Sequence, residues 1–590
     1  MHIVEKAFQG RKYYYMIEKA RRGKRVVTSR TVYIGNWQKL TELVKQQAVA
    51  VLPESFTSQE LGGSLAFVKV AQELNIEAII DDACPVRAGA TPTGRALLLV
   101  VLHRVLNSRS ENGLLNLQKG FKGGALSELL PIAENKLNDR RLGEMLARIT
   151  PKQVELIESA VVERVIEHEG VDRQALAFDC TNFDSYVSAM NRSRLLKRGH
   201  GKSGKQLRAL GLGLLVAEDG GIPLLSFSYP GNENDVTAFR RFLRTLQRRR
   251  TGLSLPLGAT IAADGGNISK PILRRLERPA GRGVDYVLRL PERHAGALDR
   301  VATAALPSLE GLKGVRAQKY TCAVYGQDRC VVDVHSARMH GKQLPGLLRD
   351  RKKARADLAH LQRQLELQRE GLRRAKPLTV AALRRRTKKA LSREHMAKLF
   401  VVHIAQAEGA PTLTFHESDE EWLRLDTHVL GRTLLVTSQA DWSAERLVRA
   451  SRVQGSNERF FRDVKDYTGA SMLPLRHRHD PPLRANALVV VLGLLLAKVI
   501  LRRLKKAEVP VRSIARMLRS LKAIQRARMK LPANAPPALR ALAATTWVPS
   551  ERSELQEQML RALGLDRTSY IGTTLKLPKS RSESARSRKR

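Results

Sequence analysis

Apolar and polar positions alternate along some stretches of this chain and recur with helical spacing along others, and the switches mark its organisation. Residues 11–35 read RKYYYMIEKA, a corner at Arg21-Arg22-Gly23, then KRVVTSRTVYIG. Tyr, Val, Ile and Thr favour strands and the glycine-bearing corner punctuates them, so this segment is predicted as a β-hairpin. From Ser64 to Leu106 the spacing is helical, in LAFVKVAQEL and in GRALLLVVLHRVL, the second opened by Thr91-Pro92-Thr93. Residues 174–229 return to strands: QALAFDCTNF, then RALGLGLLVAE and IPLLSFSY joined by Asp219-Gly220-Gly221, a hairpin turn. The run ATIAAD ends on Asp264 and opens into GGNISKPILRRL, a glycine turn before a helix. Strands that lead into helices predict an α/β core.

Between 291 and 430 the character changes. The strand-like segments KYTCAVYG and RCVVDVHSA precede a basic helix expected from Leu347 to Ala375, with Leu358, Leu361, Leu365 and Leu372 as its apolar stripe and Pro377 as its stop. GRTLLVTS at 431–438 then returns to the core. SAERLVRASRVQGSNERFFRDVKDYTG reads as one long helical stretch, and residues 511–531 as an amphipathic helix through Ile514, Met517, Leu518, Leu521 and Ile524. The divisions follow: a basic hairpin region 1–60, a helical domain 61–170, a first part of the core 171–290, an insertion 291–430, a second part of the core 431–505, and a C-terminal helical region with a basic tail 506–590.

Charge narrows the partner. The 590 residues carry 103 Lys and Arg against 57 Asp and Glu, a net charge of +46. A hydrophobic content of 43% is enough for buried cores, which excludes a wholly disordered polycation. A charge this large favours a long polyanion, and nucleic acid leads because Lys and Arg displace its condensed counterions. An ordinary basic enzyme would share the balance, so charge alone does not decide. The position of 61–170 ahead of the core assigns it to DNA binding. The hairpin at 11–35, with eight basic residues and four tyrosines, suits either a phosphate backbone or a solvated edge. The tail from Lys579 reads as a disordered electrostatic tether. The longest apolar run, Ala487 to Ala497, stops at Lys498, short of the ~20 residues a membrane span needs. Four cysteines build no disulfide framework, and MHIVEKAFQG has no signal-peptide core, so a cytoplasmic protein with no membrane partner is expected, nucleoid-associated when bound to DNA.

Carboxylates are scarce in so basic a chain. Asp179 and Asp264 end apolar strand-like runs, where open α/β sheets place functional groups. Glu458 lies on a helix, with Phe461, Arg462 and Lys465 at i+3, i+4 and i+7 on its face. Three acids converging from two strands and a helix would make an oxygen-rich site for Mg²⁺, with Mn²⁺ as a substitute. Two such ions about 4 Å apart activate water and stabilise a leaving 3′ oxygen in phosphoryl transfer. An aspartate ending a strand also serves as a plain turn residue, so the assignment rests on the three together. Gly199-His200-Gly201-Lys202-Ser203 only mimics a phosphate-binding loop, since Leu196 stands where its first glycine belongs. That basic loop either contacts DNA, through Lys202 and Lys205, or merely turns the chain. Cys84, Cys180, Cys322 and Cys330 lack zinc spacing, and no GxSxG nucleophile motif is present.

These residues resemble DDE transposases of bacterial insertion sequences, specifically the insertion-sequence-four superfamily. LAFDCTNF resembles the first-aspartate motif. GKSGKQLRALGLGLLVAEDGGIPLLSFSYPGNENDVTAF resembles the block that closes in P-G-N-x-x-D, here Pro230, Gly231, Asn232 and Asp235. IAADGGNIS resembles the second-aspartate motif, with Gly265 where an Arg is common. SAERLVRASRVQGSNERFFRDVK resembles the third motif, Tyr, Arg, Glu and Lys at set spacing, of which Glu458 and Lys465 are present while Ser451 and Gln454 replace Tyr and Arg. Arg462 stands nearby, whereas Arg449 and Arg452 fall elsewhere on the helix. The resemblance implies an α/β fold: an RNase H-like core interrupted by a strand-rich and helical insertion, with an N-terminal β-hairpin, a helical DNA-binding region and a helical C-terminal region. It implies Asp179, Asp264 and Glu458 as metal ligands and catalytic residues, with Arg462 and Lys465 contacting DNA near the cut. It also implies cut-and-paste transposition by a homodimer on double-stranded DNA, both transposon ends and target. The alternatives are a non-catalytic DNA-binding protein derived from a transposase, and a structure-selective nuclease without strand transfer.

Overall fold

The computed structural model describes residues 2–565 except 9–10, 23–24, 36–52, 88–90, 108–123, 133–138, 189, 200–206, 265–267, 278–283, 293, 295–297, 299, 373–375, 408–409, 466–471, 473–474 and 476. Some side chains within helices and strands, that of Glu458 among them, also lie outside the description. The chain divides into two units, Met1–Met145 with Val499–Arg590, and Leu146–Lys498.

In the first unit, β1 (His2–Phe8), β2 (Arg11–Arg22) and β3 (Arg25–Gly35) form an antiparallel meander. Arg22 pairs with Arg25, so the hairpin expected at 11–35 is present, with β1 added to its edge. Strand β4 (Ser55–Glu60) leads into α1 (Gly62–Glu73), followed by α2 (Ile76–Ala83) and α3 (Thr93–Leu106). The Glu60 carboxylate accepts hydrogen bonds from the first-turn amides of Gly63 and Ser64 and from the Ser64 hydroxyl, so an acid completes the α1 N-terminus. Gly62 allows a close approach, since a Cβ there would lie 2.5 Å from the Leu521 carbonyl oxygen.

The helix expected over 511–531 is shorter, Ile514–Lys522, with Ile514, Met517, Leu518 and Leu521 buried as the stripe predicts. Residues Gln525–Lys530 form a strand that pairs with β4 and with Val548–Pro549. The physical reason lies in Arg526. Its guanidinium is wholly buried, donates to Gln59 Oε1 at 2.7 Å, meets Glu128, and stacks 4.1 Å from the Trp547 ring. A strand delivers those contacts, and its ladder partner lies more than 460 residues earlier.

The second unit opens with α4 (Pro151–Glu169), begun by a Thr150–Gln153 capping box and closed by Gly170 at φ +60°. Its nine-stranded sheet comprises β5 (Ala175–Ser185), β6 (Lys197–Arg198), β7 (Arg208–Ala217), β8 (Pro223–Pro230), β9 (Thr260–Ala263), β10 (Asp285–Leu290), β11 (Val315–Val324), β12 (Gln327–Ser336) and β15 (Arg432–Thr437). The order is β11-β12-β15-β10-β9-β5-β7-β6, with β8 also on β7. β5 runs antiparallel to β7, and β7 to β8, while β5, β9 and β10 are mutually parallel. Helix α5 (Asp235–Leu253) covers one face, stacking Phe242 on Phe178 and packing Phe239 against it at a tilt. The strands β11 and β12, grouped by sequence with the insertion at 291–430, extend this sheet by pairing with β15.

After α6 (Lys270–Leu276) and those strands comes α7 (Ala337–Arg369). It starts ten residues before the expected Leu347, capped by Ser336, and ends before the expected Ala375, where Gly371 turns at φ +69°. Leu358, Leu361 and Leu365 are buried as expected, whereas Leu372 lies past the helix and is exposed. Helix α8 (Val380–Ala390), the hairpin β13 (Phe400–Ala407) with β14 (Ala410–Glu417), and α9 (Asp419–His428) complete a module with its own apolar cores. The long helical stretch after β15 is two helices, α10 (Ala444–Ser451) and α11 (Gln454–Lys465), broken at residues 452–453. Helix α12 (Asp480–Lys506) carries the long apolar run, buried throughout residues 485–500. Among the described residues, no helix is long and apolar enough to cross a membrane. The basic tail from Lys579 lies outside the described residues.

Candidate active site

The geometry of the site follows from strand register. β5 and β9 place Ala175 opposite Thr260, Leu176 opposite Ile261 and Ala177 opposite Ala262. Continued by two residues, that register sets Asp179 opposite Asp264. Adjacent strands lie about 4.8 Å apart and paired residues project from the same face, so the two carboxylates share one face where β9 ends.

Alternation along β5 identifies that face. Phe178 points to α5, with ring centroids 5.0 Å from Phe239 and 4.0 Å from Phe242. Phe183 has the opposite parity, and Lys465 Nζ of α11 lies 5.9 Å from its ring centroid. Asp179 shares the parity of Phe183, so it faces the side on which α11 packs against β5 and β7. Glu458 belongs to α11, seven residues before Lys465. Arg462 is exposed on the same helix, and Phe461 is buried. Lys202 and Lys205 lie outside the described residues.

Asp179 is half-buried, and its Oδ1 accepts a 2.7 Å hydrogen bond from the Cys180 amide. Asp264 is exposed, and its Oδ1 lies 3.8 Å from Arg289 Nη1. Arg289 was not singled out by sequence. β10 pairs with β9 so that Leu288 meets Ala263, and one residue further Arg289 meets Asp264. A row of Asp179, Asp264 and Arg289 thus crosses three parallel strands. The available signal was a lone cation in DYVLRL, the one exposed side chain of an otherwise covered strand.

The remaining motif residues have local structural duties. Pro230 ends β8, Gly231 passes where a Cβ would lie 2.0 Å from the Ala209 carbonyl oxygen, and Asp235 opens α5. The Ser451 hydroxyl donates to the Val448 carbonyl at 2.8 Å, closing α10, and the Gln454 side chain is outside the described residues. Arg449 is held by Glu445 and donates to the Gly311 carbonyl at 3.1 Å. Among the described residues, no three Asp, Glu, His or Cys side chains gather to hold a metal ion. The described donors are two hard carboxylates on one face, a chemistry that suits a hard divalent cation.

A family model described as the transposase DDE domain matches residues 174–480. That segment begins one residue before β5, ends on the first residue of α12, and encloses Asp179, Asp264 and Glu458. No curated protein matches the chain. Among solved structures, the chain is similar to a piggyBac transposase in a synaptic complex with hairpin DNA, seen by cryo-EM, at 10% identity over 79% of this chain and 80% of that one. The TM-score of 0.36 is too low to carry an argument.

Proposed function

The chain belongs to the transposase DDE domain family, and from that premise we propose that it performs cut-and-paste DNA transposition. The reaction is phosphodiester hydrolysis at terminal inverted repeats, then attack of the freed 3′-OH on target DNA. The observation that carries this reading is the shared face of Asp179 and Asp264 on adjacent parallel strands, inside the matched segment. The strand order β8-β7-β5-β9-β10, three antiparallel strands followed by two parallel to β5, supports an RNase H-like core.

Asp179, Asp264 and Glu458 would hold Mg²⁺, with Mn²⁺ as a substitute. When bound, such ions activate the attacking oxygen and stabilise the leaving 3′ oxygen. The chain's own cations hold the substrate. Arg289, beside Asp264, offers a planar donor fork for a phosphate next to the cut. Lys465 and Arg462 approach from α11, and Lys202 and Lys205 extend the contact along the backbone. Two symmetric ends call for a homodimer in the DNA complex. Ser451 and Gln454, in place of Tyr and Arg, favour a second reading, a derived protein that binds DNA without cutting it.

Cleavage of the DNA flanking the gene, with Mg²⁺, separates the two. The wild type cuts at the repeat ends, and Asp264→Ala binds the same DNA without cutting. Cleavage retained by Asp264→Ala sinks the site assignment. Specific binding without cleavage by the wild type selects the second reading.

A further inference from the structure

The module between β12 and β15 carries a charge pattern that the site does not use. Helix α7 buries Leu347, Ala354, Leu358, Leu361 and Leu365. At 100° per residue, Arg349, Lys352, Lys353 and Arg363 fall on the side opposite that stripe, and all four are exposed. Helix α8 repeats the arrangement, with Leu383, Thr387 and Ala390 inward and Arg385, Lys388 and Lys389 outward. The two helices pack together through Leu361, Leu365, Leu378 and Leu383, and Arg386 Nη1 donates to Gln364 at 3.1 Å.

A basic run on a helix is commonly no more than a solvated face. Pairing distinguishes this one. Two of the module's acids are taken by cations on the flanks: Glu417 by Arg351 and Arg355, and Asp350 by Arg393. Of the module's other acids, Asp357 and Glu366 lie on α7 but form no ion pair with the outward cations, and Asp419, Glu420 and Glu421 collect at the start of α9. None of the seven outward cations has an ion pair with a described carboxylate, and α8 contains no acid at all. Like charges three and four residues apart on a helix repel, so both helices hold a field that a polyanion would relieve.

We propose that the outward faces of α7 and α8 form a binding surface for the phosphate backbone of duplex DNA, separate from the aspartate row. The four α7 cations span about 21 Å of helix, enough to follow several phosphates of a duplex that carries one charge per ~1.7 Å of its axis. Lys and Arg side chains offer charge to phosphates, so the surface holds DNA along its backbone and does not read its sequence. This deepens the transposase reading by assigning the insertion a hold on DNA.

The test is salt-dependent binding of the full chain to a short duplex of unrelated sequence, in EDTA so that cleavage is silent. Each phosphate contact contributes about −0.9 to the slope of log K against log salt. Arg385→Gln/Lys388→Gln/Lys389→Gln should lower the magnitude of that slope by about two to three. Lys352→Gln/Lys353→Gln/Arg363→Gln should do the same. A charge-matched control on exposed positions elsewhere in the unit, Arg240→Gln/Arg244→Gln/Lys313→Gln, should change it by less than about one. The charge-conserving Arg385→Lys/Lys388→Arg/Lys389→Arg should restore the wild-type slope. Unchanged slopes in both module variants, or an equal loss in the control, overturn the proposal. So does a loss confined to duplex RNA or to anionic vesicles run in parallel. Because no metal is present, an active Asp264→Ala protein would refute the catalytic reading and leave this result standing.

Discussion

Asp333 and Asp264 belong to the same sheet region, yet the fold treats them in opposite ways. Asp333 on β12 has no exposed surface, accepts from Arg300 Nε and Arg432 Nη1 at 2.8 Å each, and from Arg300 Nη2 at 3.1 Å. Arg432 in turn donates to the carbonyls of Val301 and Thr427. Asp264 follows β9, keeps 59% of its side chain exposed, and lies 3.8 Å from Arg289 Nη1. In the first case the lone pairs are consumed and the charge is closed inside the protein. In the second the carboxylate stands open to solvent, where an ion or a substrate can reach it. The sequence pattern singles out only Asp264, and burial separates the two.

The comparison breaks most visibly at Asp333. Asp333→Ala leaves Arg432 buried without its carboxylate and should cost about 3–5 kcal/mol of stability, read as a loss of folded protein in urea titration. The same measurement on Asp264→Ala should show a change within about 0.5 kcal/mol. Similar stability losses in the two variants would erase the distinction. A smaller effect sharpens it. Arg289→Gln removes the cation beside Asp264 and should slow cleavage about tenfold, roughly 1.4 kcal/mol, with stability nearly unchanged. A wild-type cleavage rate in that variant would leave Arg289 no part in holding substrate.

Much of the second unit's core was legible because its signals are local. QALAFDCTNF, RALGLGLLVAE, IPLLSFSY and ATIAAD are short apolar runs bounded by turn residues, and each lies in a strand of the sheet. Asp179 and Asp264 could be picked out as the acids closing two apolar runs; Asp264 does follow the end of β9, whereas β5 runs on six residues past Asp179 because its ladder to β7 continues to Ser185. Arg289 could not, because its meaning depends on β10 lying next to β9, which is a matter of topology. The strand Gln525–Lys530 was hidden for the same reason. Its residues continue the helical stripe of Ile514 to Ile524, and only the ladder to β4 and the enclosed Arg526 decide against a helix. β11 and β12 carried a clear strand signal but no mark of which sheet they join, so the insertion looked larger than the module between β12 and β15.

Metal ligation by Asp264 is the central claim, and Asp264→Cys tests it most directly. A thiolate is a poor ligand for Mg²⁺ and a better one for Mn²⁺. Cleavage of the repeat-end DNA by this variant should be lost with Mg²⁺ and regained with Mn²⁺, while the wild type cuts with either ion. Undiminished cleavage by Asp264→Cys with Mg²⁺ would contradict the account.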